Sequence, residues 1–176
     1  MNADDTSERI KRAALARFVE VGFGSTTVEE IAAGASVGVA TLYRRWPDKA
    51  ALANELVIDY IASMDEVMAA VEGGTPKSRF MVLWRRFWEA ANADPELLLF
   101  VEAQAYAGFM TDDVAAQKGD AAERWMTSMQ QMGFNADPVV AGSMMVGTVT
   151  AMFRGGVEVD PDDLGERLWA AVRVAA

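Results

Sequence analysis

Hydrophobic residues recur along this chain at intervals of three and four, the spacing that places them on one face of an α-helix. No segment alternates hydrophobic and polar residues over the length of a strand, and hairpin turn pairs such as Asn-Gly are missing. One helical face is formed by Ile10, Ala14, Phe18 and Val21, and a longer one runs from Leu52 to Val71. The pattern therefore predicts an all-α protein.

Capping residues divide the chain into its predicted helices. Ser7 is a good N-cap for the first helix, and Gly22 can end it. Thr26 and Thr27 each precede a glutamate by three residues, which is the capping-box pattern for the second helix. The predicted helices span about 7–21, 26–34, 38–46, 48–71, 77–92, 95–110, 112–133, 137–155 and 161–175.

The composition of the 176-residue chain narrows the possible chemistry. Its hydrophobic content of 52% is enough for a sizeable core. The absence of cysteine and histidine removes disulfides, thiol nucleophiles, the commonest general base and the commonest metal ligands. We therefore expect no cofactor, no metal site and no enzymatic activity. An enzyme that uses paired carboxylates, such as Asp112-Asp113 or Asp162-Asp163, remains an alternative, although acidic residues also suit helix starts.

The net charge of −10 is unevenly distributed along the chain. Residues 1–50 contain seven basic and seven acidic residues, whereas residues 51–176 contain nine basic and nineteen acidic ones. Such asymmetry suggests that the two parts have different partners. An acidic bulk repels DNA except where the basic groups cluster, which favours one docking orientation.

No segment of the sequence predicts a membrane span or a secretory signal. The longest uncharged apolar stretch, residues 138–153, is shorter than the roughly 20 residues that a spanning helix needs. The N-terminus is acidic and has no apolar run. We therefore expect a cytoplasmic protein that does not bind membranes.

The segment 26–52 contains two short predicted helices around a tight turn. The second of these helices ends in Thr41-Leu42-Tyr43-Arg44-Arg45 and is followed by Pro47-Asp48-Lys49. A short helix that presents hydroxyls, a phenol and guanidiniums fits the major groove of DNA, and these groups suit phosphates and base edges. The segment therefore predicts a helix-turn-helix at about residues 26–46.

With these motifs, residues 7 to 57 resemble the tetracycline-repressor (TetR) family of bacterial transcriptional regulators. The matching elements are Ala14 through Gly22, Thr27-Val28-Glu29-Glu30-Ile31-Ala32, Thr41-Leu42-Tyr43, and Trp46-Pro47-Asp48-Lys49 before Leu52. The resemblance implies a three-helix DNA-binding head joined by a long helix to an α-helical domain for ligand binding and dimerisation. We expect the first domain at residues 1–50 and the second at residues 51–176.

The resemblance also implies which residues contact DNA. Thr27 would contact a phosphate through its hydroxyl and backbone N–H, Tyr43 would hydrogen-bond a phosphate, and Lys49 would clamp another. The remaining expected contacts are made by Val39, Ala40 and Thr41, which face the groove, and by Arg44 and Arg45, which reach backbone or bases.

Three positions depart from the pattern of the family. Ser36 replaces the usual turn glycine, Gly38 replaces the capping serine, and Ala40 replaces a frequent glycine. We expect Ser36 to adopt a positive φ at a cost of about 1–2 kcal/mol. These changes bear on turn geometry and base specificity more than on DNA binding.

The larger domain is predicted to bind a small apolar or aromatic effector and to form a homodimer. Methionine and aromatic side chains suit a pocket, and small residues allow two helices to approach closely. The candidate ligand-binding residues are Trp84, Phe87, Trp88, Gln104, Phe109, Trp125, Met129, Met144 and Thr148. The candidate dimer-interface residues are Met145, Val149, Phe153, Leu164, Leu168 and Val172, and the 138–153 helix has a second usable face formed by Val140, Met144, Gly147 and Ala151.

The favoured hypothesis is a repressor that binds a palindromic double-stranded DNA operator as a dimer and is released by its ligand. The two recognition helices of such a dimer lie about 34–36 Å apart. The alternative is a DNA-independent helical dimer that binds a small molecule or a partner protein.

Overall fold

The computed structural model of the protein describes residues 3–69, 71, 73–103, 108–131 and 138–172. These residues form nine α-helices and no strand. The helices are α1 (Ala3–Val21), α2 (Val28–Gly34), α3 (Val39–Tyr43), α4 (Lys49–Ala69), α5 (Pro76–Ala93), α6 (Pro95–Ala103), α7 (Asp112–Gln131), α8 (Pro138–Gly155) and α9 (Pro161–Val172). The predicted all-α class is confirmed.

Several helix boundaries differ from the prediction. Helix α1 begins at Ala3, so Ser7 lies within the helix, where it is buried, and does not cap it. Asp5 favours this earlier start because it lies near the positive end of the helix dipole. The described part of α6 runs to Ala103, and residues 108–111 are not helical, so the helix does not extend to residue 110 as predicted.

The chain divides into two compact units. The first comprises Met1–Tyr60 and Glu96–Lys118, and the second comprises Ile61–Pro95 and Gly119–Ala176. The first unit includes the first ten residues of α4 beyond residue 50 and a later segment, and the predicted functional boundary at residue 50 stays a prediction.

In the first unit, α2 packs against both α1 and α3. Its core contains Ile10, Phe18, Ile31, Leu42, Leu52, Leu56 and Phe100, all of which are buried. The buried Asn54 fixes the segment before α7 to α4. Its side-chain amide donates to the carbonyl of Phe109 at 3.0 Å, and its Oδ1 accepts from the backbone N–H of Thr111 at 3.1 Å.

In the second unit, α5, α8 and α9 pack against one another. The buried Trp84 donates from Nε1 to the carbonyl of Pro161 at 2.6 Å. The α-carbon of Gly165 lies so close to this indole that a Cβ there would overlap it. Glycine therefore allows the close approach of α5 and α9.

No helix in the described ranges is long and apolar enough to cross a membrane.

Candidate nucleic-acid interface

The turn between α1 and α2 is held by the first residue of α4. The Lys49 ammonium donates to the carbonyls of Phe23 and Thr26 at 2.5 and 2.6 Å, and it lies 4.4 Å from the centre of the Phe23 ring. An ammonium has three N–H donors, so one remains for a phosphate. Lys49 thus stabilises the turn within the protein, and its phosphate contact stays a prediction.

The start of α2 is closed by a capping box, which the sequence predicted. The Thr27 hydroxyl accepts from the backbone N–H of Glu30 at 3.2 Å, and the Glu30 carboxylate accepts from the backbone N–H of Thr27 at 2.9 Å. Arg17 pairs with the same carboxylate at 2.7 Å. The hydrogen bond from the Thr27 backbone, together with these neighbours, lowers the pKa of Glu30. Both Thr27 groups expected to contact a phosphate are therefore engaged with Glu30 in the protein alone.

The turn between α2 and α3 has the strained conformation expected at Ser36. Its φ is 55°, which confirms the predicted left-handed backbone at a residue with a Cβ. The Arg9 guanidinium reaches across from α1 and donates to the carbonyls of Ala35 and Ser36. Gly38 is the N-cap of α3, and it contributes no side-chain hydrogen bond.

Helix α3 has a buried face and an exposed face. Leu42 is fully buried beneath the helix, whereas Tyr43 on the outside is 48% exposed. Arg44 is also exposed and makes no ion pair with any residue in the described ranges. Towards the start of α3, Ala40 is exposed, and Val39 and Thr41 are half-buried. This short helix therefore presents small residues at its start and a phenol and a guanidinium at its end.

Arg45 differs from Arg44 in its contacts. Its guanidinium lies 3.6 Å from the Glu55 carboxylate and 5.4 Å from the centre of the Trp46 ring. Asp48 caps α4 by accepting from the backbone N–H of Ala51 at 2.7 Å.

The segment that contains these helices is also similar in sequence to known proteins. A family model described as bacterial regulatory proteins of the tetR family matches residues 10–56, which include all of α2 and α3 and the start of α4. The chain carries a TetR-family N-terminal region. This family consists of regulators rather than enzymes.

Curated relatives match the same TetR-type region. An uncharacterized HTH-type transcriptional regulator from Mycobacterium tuberculosis strain H37Rv is 40% identical over 60 residues, and one from Mycobacterium bovis has the same identity over the same length. Each match covers 34% of this chain and 32% of the relative, so the chain matches about a third of these relatives' length.

Solved structures extend the likeness in fold to nearly the whole chain. A TetR-family transcriptional regulator from Bordetella parapertussis has a TM-score of 0.78 at 18% identity, covering 94% of this chain and 93% of that one. A TetR family transcription regulator from Marinobacter aquaeolei has a TM-score of 0.72 at 20% identity and covers 96% of each chain. The fold beyond the N-terminal region is therefore also that of TetR-family regulators.

The predicted ligand-binding residues differ in their burial in the described structure. Trp84, Phe87 and Met129 are buried in the core of the second unit, and Phe109 packs between the rings of Phe23 and Phe100 in the first. Trp88, Met144 and Thr148 are half-buried, and Gln104 lies outside the described residues.

Trp125 lines a groove of about 210 Å³ in the second unit. The other lining residues are Met64, Asp65, Met68 and Ala69 of α4 and Ala121, Arg124 and Ser128 of α7. Arg124 and Asp65 pair across the two helices at 2.8 Å. The groove thus combines soft apolar walls with one exposed ion pair, and sequence periodicity alone could not show that these faces of α4 and α7 meet.

Four of the predicted dimer-interface residues are core residues of the single chain. Met145, Val149, Leu168 and Val172 are at most 5% exposed without any partner, so they have almost no surface to offer one. The reason is that α5, α8 and α9 pack together and cover these faces. Phe153 and Leu164 are half-buried. The opposite face of α8, with Val140, Met144, Gly147 and Ala151, is exposed or half-buried.

The acidic pairs considered as catalytic groups lie in the first turns of α7 and α9. Asp162 pairs with Arg85, and Asp163 pairs with Arg167 one turn along its own helix. No group of three or more potential metal ligands occurs in the described part of the chain. Asp162 and Asp163 are thus exposed and paired with arginines, whereas Asp113 is exposed and accepts from Gln117 Nε2 at 2.9 Å.

Sequence reasoning missed three residues that position the interface. Arg9 holds the strained turn, Asn54 holds the segment before α7, and Glu55 accepts from Trp46 Nε1 at 2.7 Å. The one available signal was Asn54, a polar residue within the apolar face between Leu52 and Leu56. The sequences around Arg9 and Glu55 give no such signal, because charged residues in these patterns are equally common on helix surfaces exposed to solvent.

Proposed function

We propose that this protein is a transcriptional regulator that binds a palindromic DNA operator as a homodimer and represses transcription until a small ligand releases it. The observation that carries the proposal is the exposed face of α3, where Tyr43 and Arg44 stand outside a helix anchored by the buried Leu42. A helix of this kind positions phosphate and base contacts in the major groove. The tetR-family match over residues 10–56 supports the same function.

The proposed contacts follow the exposure of the side chains. Tyr43 supplies a hydroxyl for a phosphate, and Arg44 supplies a charged, bidentate donor for a phosphate or a guanine edge. Ala40 and Thr41 allow the start of α3 to approach the base edges. Val39, Thr27 and Lys49 complete the set of proposed contacts, whereas Arg45, which the resemblance also implies, lies 3.6 Å from Glu55.

A homodimer is supported by the small and apolar exposed face of α8. Val140 is 52% exposed, and a Cβ added at Gly147 would meet no atom within 4 Å in the single chain. Helices with such faces pair closely, and a two-fold pair matches a palindromic site. Gly147→Glu should therefore produce monomers in analytical ultracentrifugation. Gly119→Glu, at an exposed glycine of α7, is the matched control and should leave the dimer intact.

Ligand control is supported by the groove between α4 and α7. Its walls of Met64, Met68 and Trp125 suit an apolar or aromatic molecule, because methionine adapts to irregular shapes and indole offers a flat surface. Helix α4 also carries Lys49, which holds the turn before α2. A ligand that displaces α4 is proposed to lower operator affinity, with a coupling typically of about 1–3 kcal/mol.

The function is tested first by selecting genomic DNA on the purified protein and measuring fluorescence anisotropy on the enriched site. We expect an enriched palindrome, a steep decrease of affinity with salt, and weaker binding by Tyr43→Ala. Tyr43→Phe, which keeps the ring, separates the hydroxyl contact from packing. Absence of any enriched sequence would contradict DNA regulation and favour the DNA-independent dimer.

The ligand hypothesis has its own test. Aromatic and acyl compounds are screened by fluorescence quenching of the wild type and of Trp125→Phe, and compounds whose quenching depends on Trp125 are added to the operator complex. We expect those compounds to lower operator affinity. Compounds that bind near Trp125 and leave operator affinity unchanged would contradict release through α4.

A further inference from the structure

The Glu55 carboxylate on α4 is shared by donors from two other segments of the first unit. It accepts from Trp46 Nε1 at 2.7 Å, lies 2.9 Å from the Lys11 ammonium of α1, and lies 3.6 Å from the Arg45 guanidinium. Lys11 also pairs with Asp59 at 2.8 Å. Lys11 also lies 3.8 Å from Glu8, so two basic and three acidic groups form one cluster of net negative charge beside the end of α3.

Glu55 is ionised at neutral pH within this cluster. Burial alone would raise the pKa of Glu55, but hydrogen bonds from Lys11 and Trp46 outweigh burial and bring the pKa below its ordinary value. Because Lys11 is shared by Glu8, Asp59 and Glu55, it does not neutralise all three carboxylates, and negative charge remains beside Arg45. The carboxylate also keeps its position when Arg45 moves, since Trp46 and Lys11 hold it.

The two neighbouring arginines are consequently in different electrostatic states. The Arg45 guanidinium lies beside Glu55 and over the Trp46 ring. Arg44 is exposed and has no acidic partner in the described parts of the chain. An arginine that is already paired with a carboxylate adds no net charge next to a phosphate and releases few counterions on binding.

We propose that Glu55 is a positioning residue that withholds Arg45 from DNA, so that Arg44 is the arginine with which α3 contacts its site. This inference rests on the proposed function and refines the contact set drawn from the resemblance. Glu55 acts through Arg45 and Trp46 and does not itself touch DNA.

The test is the dependence of operator affinity on salt, measured by anisotropy for the wild type, Glu55→Gln, Arg45→Ala and the double variant. Glutamine keeps the size of the side chain and an oxygen for Trp46 Nε1, but it removes the charge that holds Arg45. We expect the slope of log K against log salt to steepen by about 0.9 in Glu55→Gln, the increment for one added phosphate contact. The increase should vanish in Glu55→Gln/Arg45→Ala.

Asp59→Asn is the matched control, because it removes one negative charge from the same helix one turn later and Asp59 is paired with Lys11. Equal slopes for Glu55→Gln and Asp59→Asn would overturn the proposal, and so would an increase that persists in the double variant. A loss of structure in Glu55→Gln would weaken binding and could not create a steeper slope that depends on Arg45.

A second comparison leaves Glu55 intact. Arg44→Ala should make the salt slope shallower by about 0.9, and Arg45→Ala should change it by less than half as much. Equal losses in the two variants would overturn the role of Glu55 even if DNA binding is established. Failure of the wild type to bind any selected DNA would instead remove the proposed function, and this inference with it.

Discussion

The positive φ of Ser36 predicts that its replacement by glycine stabilises the protein. At φ 55° the Cβ of Ser36 crowds the backbone, at a cost of about 1–2 kcal/mol. Glycine removes that cost but gives the unfolded chain more freedom, which offsets about 0.4–1 kcal/mol. The expected net gain in unfolding free energy is about 0.5–1 kcal/mol, or a rise in Tm of roughly 1–4 °C for a chain of this size.

Chemical denaturation followed by circular dichroism measures this gain. Ser36→Ala keeps the Cβ and removes only the hydroxyl, so it should leave the unfolding free energy nearly unchanged. Ala33→Gly, at an exposed position of α2 close to the turn, should lower it by up to about 1 kcal/mol, because glycine is a poor helix former. Destabilisation by Ser36→Gly, or an equal gain from Ser36→Ala, would refute the reasoning from backbone strain.

Three further changes test other contacts. Lys49→Met should lower the unfolding free energy by about 1.5–3 kcal/mol, because the carbonyls of Phe23 and Thr26 lose a charged donor. A loss below about 0.5 kcal/mol in urea denaturation would show that Lys49 does not stabilise this turn. Gly165→Ala should lower the unfolding free energy by about 1–2 kcal/mol, because the added Cβ overpacks against Trp84. Gly119→Ala, whose Cβ would meet no atom within 4 Å, should raise it by up to about 1 kcal/mol. Calorimetry that ranks the two variants in the opposite order would refute this packing. The pKa of Glu30 is lowered in the folded state, so Glu30 contributes stability at neutral pH that is lost as pH falls through that pKa. Glu30→Gln should therefore lose less unfolding free energy than the wild type between about pH 6 and pH 3. Identical losses in acid titrations of the two proteins would exclude this contribution.

The features that the sequence predicted well depend on neighbours in the chain. The capping box joins Thr27 to Glu30, three residues away, and needs only local spacing and residue type. The left-handed turn at Ser36 was expected because the family resemblance places a glycine at this position, and the structure confirms both features.

The features that the sequence did not predict depend on contacts between distant segments. The Lys49 ammonium binds the carbonyls of Phe23 and Thr26, which lie 26 and 23 residues earlier in the chain. Glu55 joins Lys11 of α1 to Arg45, which lies two residues beyond the end of α3. Met145 lies on one of two apolar faces of α8, and only the packing of α5 and α9 decides which face is inside. Periodicity identifies apolar faces but does not say which face meets which neighbour.

The most direct test of the account is the salt dependence of DNA binding by Arg44→Ala on a site selected from genomic DNA. Arg86, an exposed arginine of α5, supplies the control for the loss of one positive charge. If the exposed face of α3 contacts the operator, Arg44→Ala should weaken binding and reduce the slope of log K against log salt by about 0.9, while Arg86→Ala should match the wild type. Equal affinities and slopes for Arg44→Ala, Arg86→Ala and the wild type would contradict it.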